Sequence, residues 1–268
     1  MKLGCSSLLY GGYDLDTAVT GLQAVGYEAI ELCSIPGLGE HFKGGEPRAV
    51  YAALREKLQA AGLYLDSVGC SGALGTERFE PLLQAAAALG APNMTLGSGG
   101  VPDDEDAWGQ MLQMVREALP AAEAAGVRLA FKPHVRAAVC NTATARRFIE
   151  ELASPLVGLN LDNTHLERSG DDPIEAVHAL GDWIFTARIR DYKSDDFSVG
   201  LIENQIPGKG TSDVRGYFQA LTAVSGLQCV VLEMGGTDHS GSGLQTLEPR
   251  ELQRVIGEAL VALRSYQA

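Results

Sequence analysis

Charged residues of both signs recur at one kind of position along this chain, at or just past the end of a short apolar run. Glu31 falls in AVGYEAIEL, Lys132 and His134 in RLAFKPH, and Asp162 ends VGLNLD with His165 three residues on. Arg188, Arg190 and Asp191 fall in TARIRD, and Glu233 ends VVLE. Carboxylates and histidines are the groups that move protons, and lysine and arginine hold negative charge as it develops. One such residue is readily a solvated strand end; a ring of them facing one pocket reads as a site. The bland reading of His134 is a hydrogen-bonded structural residue, and that of Glu31 a brace for Lys132 or a neighbouring loop. His41, His178 and His239 read as surface residues, His239 in a loop near the expected mouth.

The elements that would gather these residues follow from a repeated unit: an amphipathic stretch, a glycine, then a short apolar run. It appears at 24–32, 60–68, 88–96, 124–131, 179–189 and 223–232. Gly26, Gly62, Gly90, Gly126, Gly181 and Gly226 fit the left-handed position that ends a helix. The runs after them are too short for helices and mostly apolar throughout, as strands of a parallel sheet are. With KLGCS at the start and VGLNL at 157–161 they make eight strands. Helices are expected over 14–25, 47–61, 78–89, 106–125, 142–152, 173–180, 213–224 and 249–263. Asp14 caps the first of these, and Leu15, Ala18, Val19, Leu22 and Val25 share one face. Eight strand–helix units in 268 residues predict a single (β/α)8 TIM barrel, one domain over 1–268, with its chemistry where strands end and loops begin.

Composition narrows the partners. The chain has 21 Lys+Arg against 34 Asp+Glu, a formal charge of −13, where a nucleic-acid surface needs a basic stripe. No apolar stretch has the length of a signal peptide's core or a membrane span, so a cytoplasmic protein is expected. The five cysteines are scattered and form no CxxC pair, which argues against a disulfide framework or a cysteine zinc site. Cys5, Cys33 and Cys70 read as buried small hydrophobes. Small molecules are the expected partners, and a homo-oligomer is an admissible assembly.

At its charged strand ends the chain resembles the sugar isomerase/epimerase branch of the xylose-isomerase-like barrels, a superfamily shared with endonuclease IV. The resemblance runs through nearly the whole chain. VGLNLDNTHLERSGDDPIEAVHALGDWI is similar to that branch's Asp-x-x-His segment, and RLAFKPH stands where a strand ending in Glu is usual. TARIRDYK stands at a His-containing strand, IPGKGTSD at a PGxG loop, and CVVLEMGG at the final strand. The resemblance implies a divalent ion held by Glu, Asp, His and Glu, and these positions here are Lys132, Asp162, Arg188 and Glu233. Two ligands have become cations, so two carboxylates and two cations cancel without a metal. A divalent ion at ~4 Å from each cation would be repelled by about 8 kcal/mol per cation at an effective dielectric of ~20. No metal is therefore expected, and no other cofactor is called for. A decayed site that keeps Lys132–Asp162 and Arg188–Glu233 as salt bridges is the rival reading, although buried ion pairs rarely repay their desolvation.

The resemblance implies a carbohydrate isomerase or epimerase, which takes a proton beside a carbonyl and stabilises an enediolate. Lys132 and Arg188 would supply the positive charge, and Glu233 the base. Asp162 and His165 would orient the cations or substrate hydroxyls, with Glu31 and His134 on the substrate side. A lysine among apolar neighbours would also permit a Schiff base. The alternatives are a lyase or dehydratase acting on a keto-acid or cyclic polyol, and a non-catalytic barrel that clamps an anionic sugar. DNA repair is disfavoured by the acidic charge and by only five histidines. Lys209 in PGKG, the glycine-rich loop 235–243, Arg190 and Lys193 suggest a positive mouth after strands seven and eight, suited to a sugar acid or sugar phosphate.

Overall fold

The computed structural model describes residues 1–193, 200–235 and 247–267. The first half of the chain runs β1 Lys2–Ser6, α1 Leu15–Val25, β2 Ala29–Ile35, β3 Gly39–Glu40, α2 Arg48–Ala60, β4 Tyr64–Gly69, α3 Phe79–Leu89, β5 Asn93–Gly97 and α4 Glu105–Ala125. The second half runs β6 Arg128–Lys132, α5 Thr142–Leu152, β7 Val157–Asp162, α6 Asn163–Arg168, α7 Pro173–Leu180, β8 Ile184–Ile189, α8 Val214–Thr222, β9 Cys229–Leu232 and α9 Pro249–Tyr266. All strands but β3 pair in parallel with their neighbours in the chain, and β1 pairs with both β2 and β9. The sheet is thus closed, a (β/α)8 barrel. The two-residue β3 is an antiparallel flap on the end of β2.

Local chemistry sets the boundaries. The Asp14 side chain accepts from the Thr17 N–H at 2.9 Å and starts α1; Gly26, at φ 96°, ends it. Left-handed glycines likewise follow α3 and α4, and Gly62 and Gly226 are also at positive φ. Gly181 departs from the expectation. Its φ is −45° because α7 runs straight on into a 3-10 turn, Gly181–Trp183, before β8 begins. The six-residue helix α6 was not expected either. It starts on the last residue of β7, with Asp162 as its cap.

Alternation along the strands sends one set of side chains out to the helices and the other into the barrel. On β6, Leu129 and Phe131 join the large core between barrel and helices. The Phe131 ring meets Phe148 of α5 edge-on at 4.9 Å, which seats the strand that ends in Lys132. Inside the barrel only the lower end is apolar, where Ala29, Cys229 and Val231 pack with Tyr64. Toward the strand ends the interior becomes charged. Among the described residues no helix is long and apolar enough to cross a membrane.

Gly4 marks how tightly the lower interior is filled: a Cβ there would lie 2.9 Å from Cys229 Sγ and 3.1 Å from Ala29 Cβ. We expect Gly4→Ala to overpack this layer at a cost of about 1–3 kcal/mol. For a chain of this size that lowers the melting temperature by roughly 2–10 °C, measurable by calorimetry, with no change in ligand binding at the opposite end.

Candidate active site

Lys132 is the last residue of β6, and Glu233 immediately follows β9. Their side chains cross the mouth of the barrel and meet, with Nζ 2.6 Å from Glu233 Oε1 and 3.5 Å from Asp162 Oδ2 at the end of β7. The immediate neighbours of Lys132 are therefore carboxylates, not the apolar groups that a Schiff-base lysine was expected to have. The two side chains keep 14% and 13% of their exposure, which makes them reachable from solvent.

Beneath them lies Arg188, wholly buried on β8. Its Nε donates to Glu233 Oε2 at 3.2 Å, its Nη2 to Glu31 Oε1 and to Ser67 Oγ, and its Nη1 stands 3.8 Å from Asp66 Oδ2. Glu31 is held in turn by Ser6 Oγ at 2.8 Å and Thr95 Oγ1 at 2.9 Å. One guanidinium thus gathers side chains from strands around much of the ring.

A second array lies beside Lys132. Arg190 Nη2 reaches Asp162 Oδ2 at 3.2 Å, and its Nε donates to Thr164 Oγ1 at 2.9 Å. The other oxygen of Asp162 accepts from the N–H and hydroxyl of Thr164. His165 stands on α6 one turn after Asp162, with Nε2 3.4 Å from Arg190 Nη2 and its ring 3.9 Å from that of His134. Arginine can only donate, so Nε2 accepts and His165 carries its proton on Nδ1, a buried atom with no hydrogen-bond partner.

The charge states follow. Burial pushes the Glu233 carboxyl up, but Lys132 and then Arg188 outweigh it and hold the group below its ordinary value. Burial acts on Asp162 the same way, and the charge of Arg190 leads the forces that hold it well below the carboxylate range. Burial drives His165 well below 6.5, against the pull of Asp162, and the ring is neutral at pH 7. Asp66 goes the other way: burial raises it to about 6, with Arg188 opposing. Lys132, Arg188 and Arg190 face four carboxylates, Glu31, Asp66, Asp162 and Glu233, and Asp66 is the one that burial raises.

Several expectations need correction. Arg188 and Glu31, expected on the substrate side, retain 0% and 2% exposure and form the floor. Glu31 is also not at a strand end, because β2 continues four residues to Ile35. Lys209 is not at the site: its ammonium pairs with Glu258 on the outer helix α9 and lies 3.6 Å from Glu203. The loop 235–243 lies outside the described residues after Gly235, as does His239. His41 is buried, with Nε2 3.2 Å from the Tyr10 carbonyl oxygen. Cys5, Cys33 and Cys70 are buried as expected, and burial raises all three thiols. Asp191 caps no substrate group: it accepts from the backbone N–H groups of Tyr192, Gly208 and Ser212, pinning the PGKG loop. Asp66 was missed, although a lone acid within the apolar run LYLDSV was the signal for it.

Residues 20–257 match the xylose isomerase-like TIM barrel family. The chain belongs to that family. Among solved structures it is similar to IolI with a bound zinc atom, at 19% identity and TM-score 0.77 over 99% of this chain and 98% of that one. It is similar also to a D-psicose 3-epimerase solved with D-fructose, at 16% identity and TM-score 0.78 over 99% of both chains. A third is the probable 3-DHS dehydratase AsbF from Bacillus anthracis, at 14% identity and TM-score 0.72 over 96% of this chain and 98% of that one. No curated protein matches the chain. The set Lys132, Asp162, Arg188 and Glu233 is a poor donor set for a divalent ion: Lys132 Nζ stands on both carboxylates, Arg188 Nε donates to Glu233, and no three metal-ligating side chains gather among the described residues.

Asp66 supplies a pH test. Its folded-state value lies above that of the unfolded chain, so the stability it contributes is full below about 3.9 and is lost as the pH rises through about 6. Asp66→Asn does not suffer this loss, while Glu31 and Glu233 still neutralise Arg188. We expect the variant's advantage over the parent to grow between pH 4 and pH 7, by on the order of 2 kcal/mol. Thermal melts across that range check it; an advantage that stays flat would place Asp66 outside the charge balance.

Proposed function

We propose that this barrel is a carbohydrate isomerase or epimerase that abstracts a proton beside a carbonyl without a divalent ion. The observation that carries the reading is the Lys132–Glu233 contact at 2.6 Å, made by side chains that both open onto the mouth. Glu233 is ionised and takes the proton from carbon. The electron pair moves to the carbonyl oxygen, and the Lys132 ammonium holds the enediolate that forms. A carboxylate clamped by two cations is a weak base. When a substrate carbonyl draws Lys132 toward itself, the carboxylate loses its nearest positive charge and its proton affinity rises. Return of the proton from Glu233 to the neighbouring carbon gives the isomer. The epimer forms when solvent water entering the open mouth protonates the same carbon from the opposite face and Glu233 gives up its proton to solvent.

Arg188 and Glu31 act as positioning residues that fix Glu233 from below, and Asp162 fixes Lys132 from the side. His165 is held neutral next to His134, with its Nε2 on Arg190. The family membership and the similarity to a psicose 3-epimerase support the sugar class. The similarity to a probable dehydratase supports elimination as the second reading, since it begins with the same proton abstraction.

The test is deuterium uptake from solvent into ketohexoses, followed by NMR with chelator present. Exchange is expected to persist under chelation and to fall at least 100-fold in Glu233→Gln and in Lys132→Met, each checked for folding by circular dichroism. Exchange that requires an added divalent ion would overturn the reading. Lys132→Glu is a second check. It sets three carboxylates together above a buried arginine, so it should destabilise more than Lys132→Ala. A Lys132→Glu protein that gained metal-dependent activity unaided would contradict this electrostatic account.

A further inference from the structure

Arg168 ends α6, one turn beyond His165 on the same helix face. It is half-buried, its Nε is buried with no hydrogen-bond partner, and among the described residues no carboxylate lies within ion-pair distance of it. Its neighbours make that placement costly. Arg190 and Arg136 both lie within electrostatic range, and burial followed by the charge of Arg190 holds the guanidinium below its ordinary value.

Among the described residues, the acids near Arg168 are engaged elsewhere. Asp162 is engaged by Arg190, Lys132 and Thr164. The neighbouring Glu167 accepts from Ser212 Oγ at 2.8 Å. Asp191 is taken up by backbone N–H groups. A cation at a helix C-terminus complements the helix dipole, but a solvated side chain does that equally well and needs no buried Nε.

Two further features mark the same corner. His165, one turn before Arg168, is 5% exposed and leaves its own Nδ1 donor without a partner. Arg136 is a non-glycine residue at φ 66° in the turn that follows β6, a conformation that residues other than glycine adopt at a cost. Two unpartnered buried donors, Arg168 Nε and His165 Nδ1, next to the guanidinium of Arg190, are together satisfied by one kind of ligand, a multivalent oxygen anion.

We propose that an acidic group of the substrate, a carboxylate or a phosphate, docks on Arg168 at the β6–β8 side of the mouth, beside His165 and Arg190. The proposal rests on the sugar-enzyme reading above for the rest of the ligand, and it replaces Lys209 as the expected anion contact. Deuterium exchange in a neutral ketose examines that reading without involving Arg168, so the two can fail separately.

The experiment follows arginine 15Nε–1H resonances of the intact protein during titration with inorganic phosphate, D-glucuronate or D-fructose. Arg168→Gln and Arg168→Lys, each checked for folding, identify the Arg168 signal by its loss. At least one of the two anions is expected to shift that signal saturably while D-fructose does not, and which anion acts distinguishes phosphate from carboxylate. By calorimetry the effective anion should bind at least tenfold more weakly to Arg168→Gln, with partial recovery in Arg168→Lys. An Arg168 signal that neither anion moves, or an Arg168→Gln protein that binds the anion as well as the parent does, overturns the proposal.

Discussion

A guanidinium without solvent access sits in the middle of this barrel, and the geometry of the mouth depends on how it is neutralised. Removing one partner from a buried ion pair costs about 3–5 kcal/mol, against a net stability of about 5–15 kcal/mol for a typical domain. Arg188 must therefore keep its carboxylates, and those carboxylates must keep their own supports. Glu31 is fixed by Ser6 and Thr95, and Glu233 is drawn down onto Nε. The carboxylate that faces Lys132 thus has its position set from below, by side chains that no solvent-borne ligand touches.

Burial divides the charged groups in two. Asp66, Glu31, Arg188, Asp162 and Arg190 are buried, whereas Lys132 and Glu233 reach solvent. The cations beside each acid sort the charge states. Asp66, whose nearest cation, Arg188, stands at 3.8 Å, is raised by burial, whereas Asp162 and Glu233 are lowered by the cations that touch them. The interior works as a single electrostatic unit: a charge change at Lys132 alters what Glu233, Arg188 and Asp162 each experience.

The barrel was legible because its signals are local. Helix faces, capping residues and terminating glycines recur unit by unit, and each unit is read within about thirty residues. Lys132, Asp162, Arg188 and Glu233 were found because each ends a short apolar run, and the structure brings all four together. Depth was not legible. Glu31 and Arg188 look like residues at the mouth in a one-dimensional reading, but β2 continues past Glu31, and Arg188 is covered by Glu233 and Lys132. Lys209 was misplaced for a related reason. Its loop does lie after a strand end, yet the side chain finds Glu258 on an outer helix, a pairing that only the packing of α9 creates. Arg168 was missed because α6 was: a six-residue helix with no amphipathic period leaves little trace in the sequence, and its register alone puts Arg168 in line with His165.

The positive charge between Asp162 and Glu233 is the ammonium of Lys132, and it is attached to the chain. A dissociable metal makes a site's charge depend on supply, and the most competitive first-row metal tends to displace the intended one. A lysine removes both problems, since its occupancy is fixed at translation. It also gives something up: one charge instead of two, and no open coordination position able to hold two substrate oxygens at once. On the metal-free reading proposed above, substrate recognition falls to side chains spread around the rim, and selectivity is set more by those rim contacts than by a shared chelating core.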